Sequence, residues 1–133
     1  MKHLFLVRHA KSSWADESLG DRERPLNARG ESQLAPLGHA LRTAGAFEGA
    51  IACSNAKRAI ATLEGAMPGS TRSAHHHILS ELYTFDYRRL LTWLERREDD
   101  STLMLVGHNP ALLELAQRLL KHPPGQLPTA SFI

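Results

Sequence analysis

The hexapeptide Leu4-Phe5-Leu6-Val7-Arg8-His9 decides how the chain is read. Four consecutive apolar residues, with Lys2 and His3 before them and Lys11-Ser12-Ser13 after, read as a strand covered on both faces. Strands of that kind belong to parallel sheets. Open α/β sheets bind ligands just beyond their carboxyl ends, which is where Arg8 and His9 project.

Working outward, residues 10–27 are polar, punctuated by Gly20 and Pro25 and without apolar periodicity, so they read as a long loop. Long ordered loops in compact domains are usually functional. Asn27 can cap a helix over 28–44, with Leu34, Leu37 and Leu41 at helical spacing and Gly45 as its stop. Residues 47–53 read as a second buried strand, after which Ser54 or Asn55 caps a helix to about Ala66 that carries Lys57 and Arg58 in its first turn. A loop over 68–74 leads to a weak strand over 75–79 and then to Glu81-Leu82-Tyr83. From about Asp86, the spacing of Leu90, Leu91 and Leu94 predicts a third helix, ended by the charged run 96–100. A strong strand over 102–106 runs into Gly107-His108-Asn109-Pro110, where Asn109 suits an N-cap and Pro110 the first position of a fourth helix reaching Lys121. Residues 129–133 read as the start of another strand. The alternation predicts an α/β fold around a mostly parallel sheet.

At 133 residues the chain has the size of one domain, 1–133, with no linker required. Sixteen Lys and Arg against fourteen Asp and Glu, interspersed in sign, do not form a nucleic-acid-binding profile. A sequence pI near 9.0 is compatible with a local basic pocket for an anion. One cysteine, Cys53, excludes an internal disulfide framework, and no apolar run is long enough for a signal or membrane segment. The expectation is a cytoplasmic protein that binds neither membrane nor nucleic acid.

Three junctions after strands carry basic groups: Arg8 with His9, Arg58, and His108. In a parallel sheet all three lie on one edge, together with two helix N-termini whose N–H groups and dipoles favour an anion, phosphate above all. The run His75-His76-His77 does not complete a metal site, because strand alternation turns His76 away from its neighbours and no acid or cysteine lies close in sequence. No metal or other cofactor is expected.

These motifs resemble the histidine phosphatase superfamily, the phosphoglycerate-mutase-like proteins. Leu6-Val7-Arg8-His9-Ala10 is similar to its Arg-His-Gly triplet, with Ala for Gly. Residues 54–62, Ser-Asn-Ala-Lys-Arg-Ala-Ile-Ala-Thr, resemble its Ser-Pro-x-x-Arg-Ala-x-x-Thr box, with Asn for Pro, and Val106-Gly107-His108-Asn109 resembles its late Gly-His motif. The short chain and Arg24-Pro25-Leu26, followed by Gly30, most resemble the SixA-type phosphohistidine phosphatases. The resemblance implies a three-layer α/β fold with helices on both faces of the sheet. It implies that His9 is a nucleophile transiently carrying the phosphoryl group, that Arg8, Arg58 and His108 bind that group, and that Arg24 is a further ligand from the long loop. Asn109 joins the phosphate-binding set, and Glu81 takes the place where many members keep an acid for the leaving oxygen. The implied substrate is a phosphohistidine-bearing protein. The alternatives are a phosphorylated small molecule, turned over by a phosphomonoesterase or mutase of the same superfamily, and a non-catalytic phosphate-binding module.

Overall fold

The computed structural model describes residues 3–69, 76–98 and 101–133. Among them, strands and helices alternate as β1 (Leu4–Arg8), α1 (Ala28–Ala44), β2 (Ala50–Ser54), α2 (Lys57–Ala66), β3 (His76–Leu79), α3 (Tyr87–Glu95), β4 (Leu103–Gly107) and α4 (Ala111–Leu119). Short 3-10 turns stand at Asp21–Glu23 and Ser80–Leu82. Residues 70–75, which hold most of the loop expected over 68–74 and the first residue of the weak strand, fall outside the described residues.

The four strands are all parallel, in the order β1-β4-β2-β3. Alternation along them divides the core in two. Val7, Ile51, Cys53, Met104 and Val106 face Leu37 and Leu41 of α1 and Ala59 and Leu63 of α2. Leu6, Ala52, Leu103 and Leu105 face Leu90 of α3 and Leu112 and Leu115 of α4. Helices thus cover both faces of the sheet, and the near-continuous apolar strands follow from that two-sided burial.

Helix α1 starts and stops where its sequence predicts. Asn27 Oδ1 accepts from the Gly30 N–H at 2.8 Å, and Gly45 closes the last turn with φ 81°, its N–H reaching the Leu41 and Arg42 carbonyls. Strand β2 begins at Ala50 rather than at 47, because the chain is still turning after Gly45, with Glu48 N–H on the Gly45 carbonyl. The tail closes the free edge of β1. Phe132 bridges Val7 in antiparallel sense, and Leu6 and Ile133 exchange N–H···O bonds of 2.9 and 3.0 Å. The strand expected over 129–133 is this isolated bridge.

The 10–27 loop is clamped at its base by a Ser12–Leu26 bridge and by Asn27 N–H on the Lys11 carbonyl at 3.0 Å. Gly30 packs so closely there that an added Cβ would lie 2.0 Å from the Lys11 oxygen. Gly30→Ala is expected to cost about 1–3 kcal/mol by overpacking a backbone that cannot move aside. Gly69→Ala, with none of the described residues within 4 Å of the new methyl, serves as the contrast. Denaturant midpoints of the two variants check this; equal midpoints would contradict the close approach.

Candidate active site

Register builds the site. Arg8 pairs with Gly107 across the β1–β4 seam, and the next residue continues it, with His9 N–H on the Gly107 carbonyl at 3.2 Å. Residues 99 positions apart therefore face each other, the His9 and His108 rings being 5.3 Å apart between centroids.

His9 is buried, and its Nδ1 lies 2.7 Å from the Ala10 carbonyl. A carbonyl only accepts, so Nδ1 carries the hydrogen and Nε2 presents its lone pair. That lone pair meets the Arg58 Nε–H at 3.4 Å. Burial, reinforced by the charges of Arg58, Arg8 and Arg24 and opposed by the Ala10 bond, lowers the His9 pKa to about 4. Thr62 steadies this corner, its Oγ1 accepting from Ala10 N–H at 2.9 Å and donating to the Arg58 carbonyl at 2.7 Å. Ala10 is fully buried, so the alanine fits where the resembled triplet has glycine.

Arg58 is 1% exposed. One edge of its guanidinium, Nε and Nη2, faces the imidazoles: Nε toward His9, and Nη2 toward His108 Nδ1 at 3.4 Å. The other edge is held by Asp21, with Nη1 on its carbonyl at 2.6 Å and Nη2 on its Oδ2 at 2.9 Å. The Asp21 carboxylate also accepts from the Tyr83 hydroxyl and from Arg24 Nε at 3.3 Å. Burial opposes ionisation of Asp21, but these bonds and the two arginine charges win and draw its pKa to about 2. His108 lies 2.7 Å from Ser54 Oγ through Nε2 and is walled by the rings of Tyr83 and Phe85. Burial, then the charges of His9 and Arg58, lower the His108 pKa to about 3 against a raising influence from Asp21.

Arg8 is half-buried; its Nη1 donates to the Leu127 carbonyl at 3.1 Å, while its buried Nε has no partner among the described residues. Burial lowers the Arg8 pKa. Arg24 lies under the Trp14 ring, 3.5 Å from its centroid, and donates to Ser12 Oγ and the Ser13 carbonyl. Its Nε also bonds Asp21 Oδ1 at 3.3 Å, so the loop links it to Arg58 through that carboxylate.

Two expected residues are not brought in. Glu81 is exposed in the turn after β3 and lines a separate groove with Arg88, Arg89 and Trp93. The 3-10 turn at Ser80–Leu82 swings it out, burying Leu82 instead. Asn109 spends both ends of its side chain on the fold: Nδ2 donates to the Leu127 carbonyl at 2.9 Å, and Oδ1 accepts from the Leu113 N–H of α4 at 3.3 Å. It braces a helix start and the tail rather than facing the cluster. Helix α2 also lacks the side-chain cap expected of Ser54 or Asn55. Its N-cap position is Ala56, whose own N–H the Ser54 hydroxyl accepts at 3.2 Å while also meeting His108 at the end of β2.

Asp21, Tyr83 and Ser54 are neighbours that sequence reasoning passed over. In the sequence Asp21 is one charge of the alternating run Asp21-Arg22-Glu23-Arg24, and the available signal is only an acid three residues before a candidate ligand.

Residues 4–87 match the model of the histidine phosphatase superfamily (branch 1). The chain belongs to that superfamily. An uncharacterised chloroplastic protein of Arabidopsis thaliana is 32% identical over 128 residues, which cover 89% of this chain. The chain spans 59% of the length of that curated relative. A candidate phosphohistidine phosphatase SixA of Agrobacterium tumefaciens shares the fold with TM-score 0.81 and 22% identity, covering 97% of this chain and 87% of that one. A second candidate SixA, from Nakamurella multipartitia, gives TM-score 0.76 and 28% identity over 90% of this chain and 66% of the other. A candidate α-ribazole-5′-phosphate phosphatase of Escherichia coli also shares the fold, with TM-score 0.73 and 19% identity over 99% and 89%.

Because His9 and His108 have lowered pKa values, the unfolded chain binds protons that the native site refuses between about pH 6.5 and pH 4. Stability therefore rises with pH through that window and is lost as pH falls through it. Urea midpoints from pH 7 to pH 5 should drop in the parent protein and drop less steeply in His9→Gln. An equal slope in both would contradict the neutral imidazole.

Proposed function

We propose that the chain is a phosphatase that uses His9 as nucleophile, with residues 1–133 forming one catalytic domain. The observation that carries the reading is the fixed neutral His9, whose Nε2 lone pair meets the Arg58 Nε–H at 3.4 Å beside the His108 ring. In the first step Nε2 attacks phosphorus and the bond from phosphorus to the leaving group breaks. Phosphoryl transfer has a loose transition state with charge spread over the equatorial oxygens, so positioned cations supply most of the catalysis. Arg8, with a buried Nε–H that has no partner among the described residues, Arg24 and the imidazole-facing edge of Arg58 are the phosphoryl ligands, with His108 beside them. In the second step water attacks the phosphoryl group on His9, the P–N bond breaks, and inorganic phosphate leaves with the proton that water gives up. No metal enters this scheme.

The substrate we infer is phosphohistidine on a protein. An alkoxide leaving group needs a proton. Glu81 lies elsewhere, and Asp21, with a pKa near 2, has no proton to give at pH 7. A phosphoimidazole can leave as neutral imidazole when its second ring nitrogen carries a proton, so it suits a site rich in cations and poor in acids. The mouth is also open. Trp14 is 71% and Phe85 45% exposed, and a groove of about 720 Å³ runs from Tyr83 and Phe85 to Arg89 and Glu114. Such a mouth suits approach by a folded partner. The chain's likeness to proteins described as SixA supports the same substrate class. A reducing aqueous compartment such as the cytoplasm suits the lone buried Cys53, and no described helix is long and apolar enough to cross a membrane.

The test compares kcat/KM for a phosphohistidine-bearing phosphotransfer domain with that for a panel of sugar, nucleotide and amino-acid phosphates, with and without chelator. The expected result is preference for the phosphoprotein, chelator-insensitive turnover, and acid-labile, base-stable phosphate on the parent protein that is missing from His9→Ala. Arg58→Ala should lower kcat about 100-fold or more. A small phosphate turned over more efficiently would make the chain a small-molecule phosphomonoesterase, and full activity in His9→Ala would remove the nucleophile.

A further inference from the structure

Asp21 is the strongest feature that this mechanism leaves unused. It lies outside the quoted motifs, on a 3-10 turn of the long loop, yet it contacts more of the cation cluster than any other described acid. Two roles are open to a carboxylate in this place. It can be a stand-in for phosphate that must be expelled before substrate binds, or it can be a fixed strut that aims the cations.

The division of the Arg58 guanidinium decides between them. Asp21 takes the terminal edge, through its backbone carbonyl on Nη1 and its carboxylate on Nη2, at 2.6 and 2.9 Å. The side edge, Nε with the second hydrogen of Nη2, points at His9 and His108 through two contacts of 3.4 Å, each long for an N–H···N bond. The short bonds lie away from the nucleophile and the long, easily replaced ones lie toward it. A phosphoryl group approaching His9 in line would take over the long contacts and leave the short ones standing.

We propose that Asp21 is a positioning residue that holds Arg58, and with it Arg24, in the orientation that presents the free guanidinium edge to the phosphoryl group on its way to His9. This rests on the phosphatase reading for its consequence in catalysis, though not for its geometry. Several fixtures converge on it. The Tyr83 hydroxyl donates to Oδ2, Arg24 Nε bonds Oδ1, and Arg22 of the same turn lies over the Tyr83 ring, 4.6 Å from its centroid. The carboxylate thus ties the loop, α2 and the segment after β3 into one assembly. A bidentate arginine held on one edge loses less freedom when the other edge engages an oxyanion, and misplacement by about 1 Å can cost on the order of 100-fold in rate.

The experiment uses Asp21→Asn, which keeps the shape and one acceptor, together with Tyr83→Phe and the double variant. Against the best substrate, Asp21→Asn should lower kcat about 10- to 100-fold with KM within about threefold, the pattern of an interaction that matters in the transition state. Tyr83→Phe should give a smaller loss of the same kind, and the double variant should be no worse than Asp21→Asn, because both act through one carboxylate. Nitrogen NMR of the ligand-free protein supplies a readout independent of turnover: the Arg58 Nε and His9 Nε2 signals should shift in Asp21→Asn. Unshifted signals, or an additive double variant, would overturn the proposal, and a raised kcat/KM would make Asp21 an expelled phosphate mimic instead. Shifted signals in a protein that hydrolyses no phosphate would leave Asp21 as the strut of Arg58 while removing the phosphatase reading.

Discussion

A guanidinium cannot be buried alone. Arg58, 1% exposed at the end of a buried strand and the start of α2, requires acceptors for its N–H groups and a nearby negative charge. The nearest elements offer little of either. Ser54 is engaged with His108, and the facing groups of His9 and His108 are ring nitrogens at 3.4 Å. The long loop supplies what is missing by folding back until Asp21 meets the guanidinium with both its backbone carbonyl and its carboxylate. The clamped loop base, the close approach of Gly30 to Lys11 and the stacking of Arg24 under Trp14 are consistent consequences of holding that return path.

Burial and the same charges together set the protonation of the imidazoles. Burial is the larger influence on both, and the arginine charges add to it. The protein thereby gives up stability below neutral pH in exchange for a histidine that stays a base beside cations, a local arrangement that makes sense only with an anion to receive. The Ala10 carbonyl adds the directional element, since it selects which ring nitrogen carries the hydrogen.

The surroundings are less enclosed than the cluster. Trp14 and Phe85 expose their rings, Phe85 lies against the His108 ring, and a groove lined by Tyr83 and Phe85 runs toward α3 and α4 beside the cluster. Selection by burying a small ligand needs walls. Selection by a partner's surface needs only that the mouth be unobstructed, and it leaves the phosphoryl group as the shared handle.

Much of this was determined by the sequence alone. Continuous apolar strands, Asn27 and Gly45 bracketing α1 and the three basic junctions after strands predict a parallel α/β sheet and the cluster of Arg8, His9, Arg58 and His108, because periodicity, capping and strand ends are local properties. Arg24 was singled out by the resemblance of Arg24-Pro25-Leu26, and the fold sets it on the Asp21 carboxylate at 3.3 Å. Tertiary structure alone decided the rest. It turned Glu81 outward on a 3-10 turn, committed Asn109 to the Leu127 carbonyl and α4, drew the Ser54 hydroxyl onto His108, paired the tail with the edge of β1, and chose Asp21 from an ordinary run of alternating charge. Each of these outcomes depends on which backbone or side chain arrives from a distant part of the chain, through strand register and the return of a loop, and no spacing within a local window encodes that arrival.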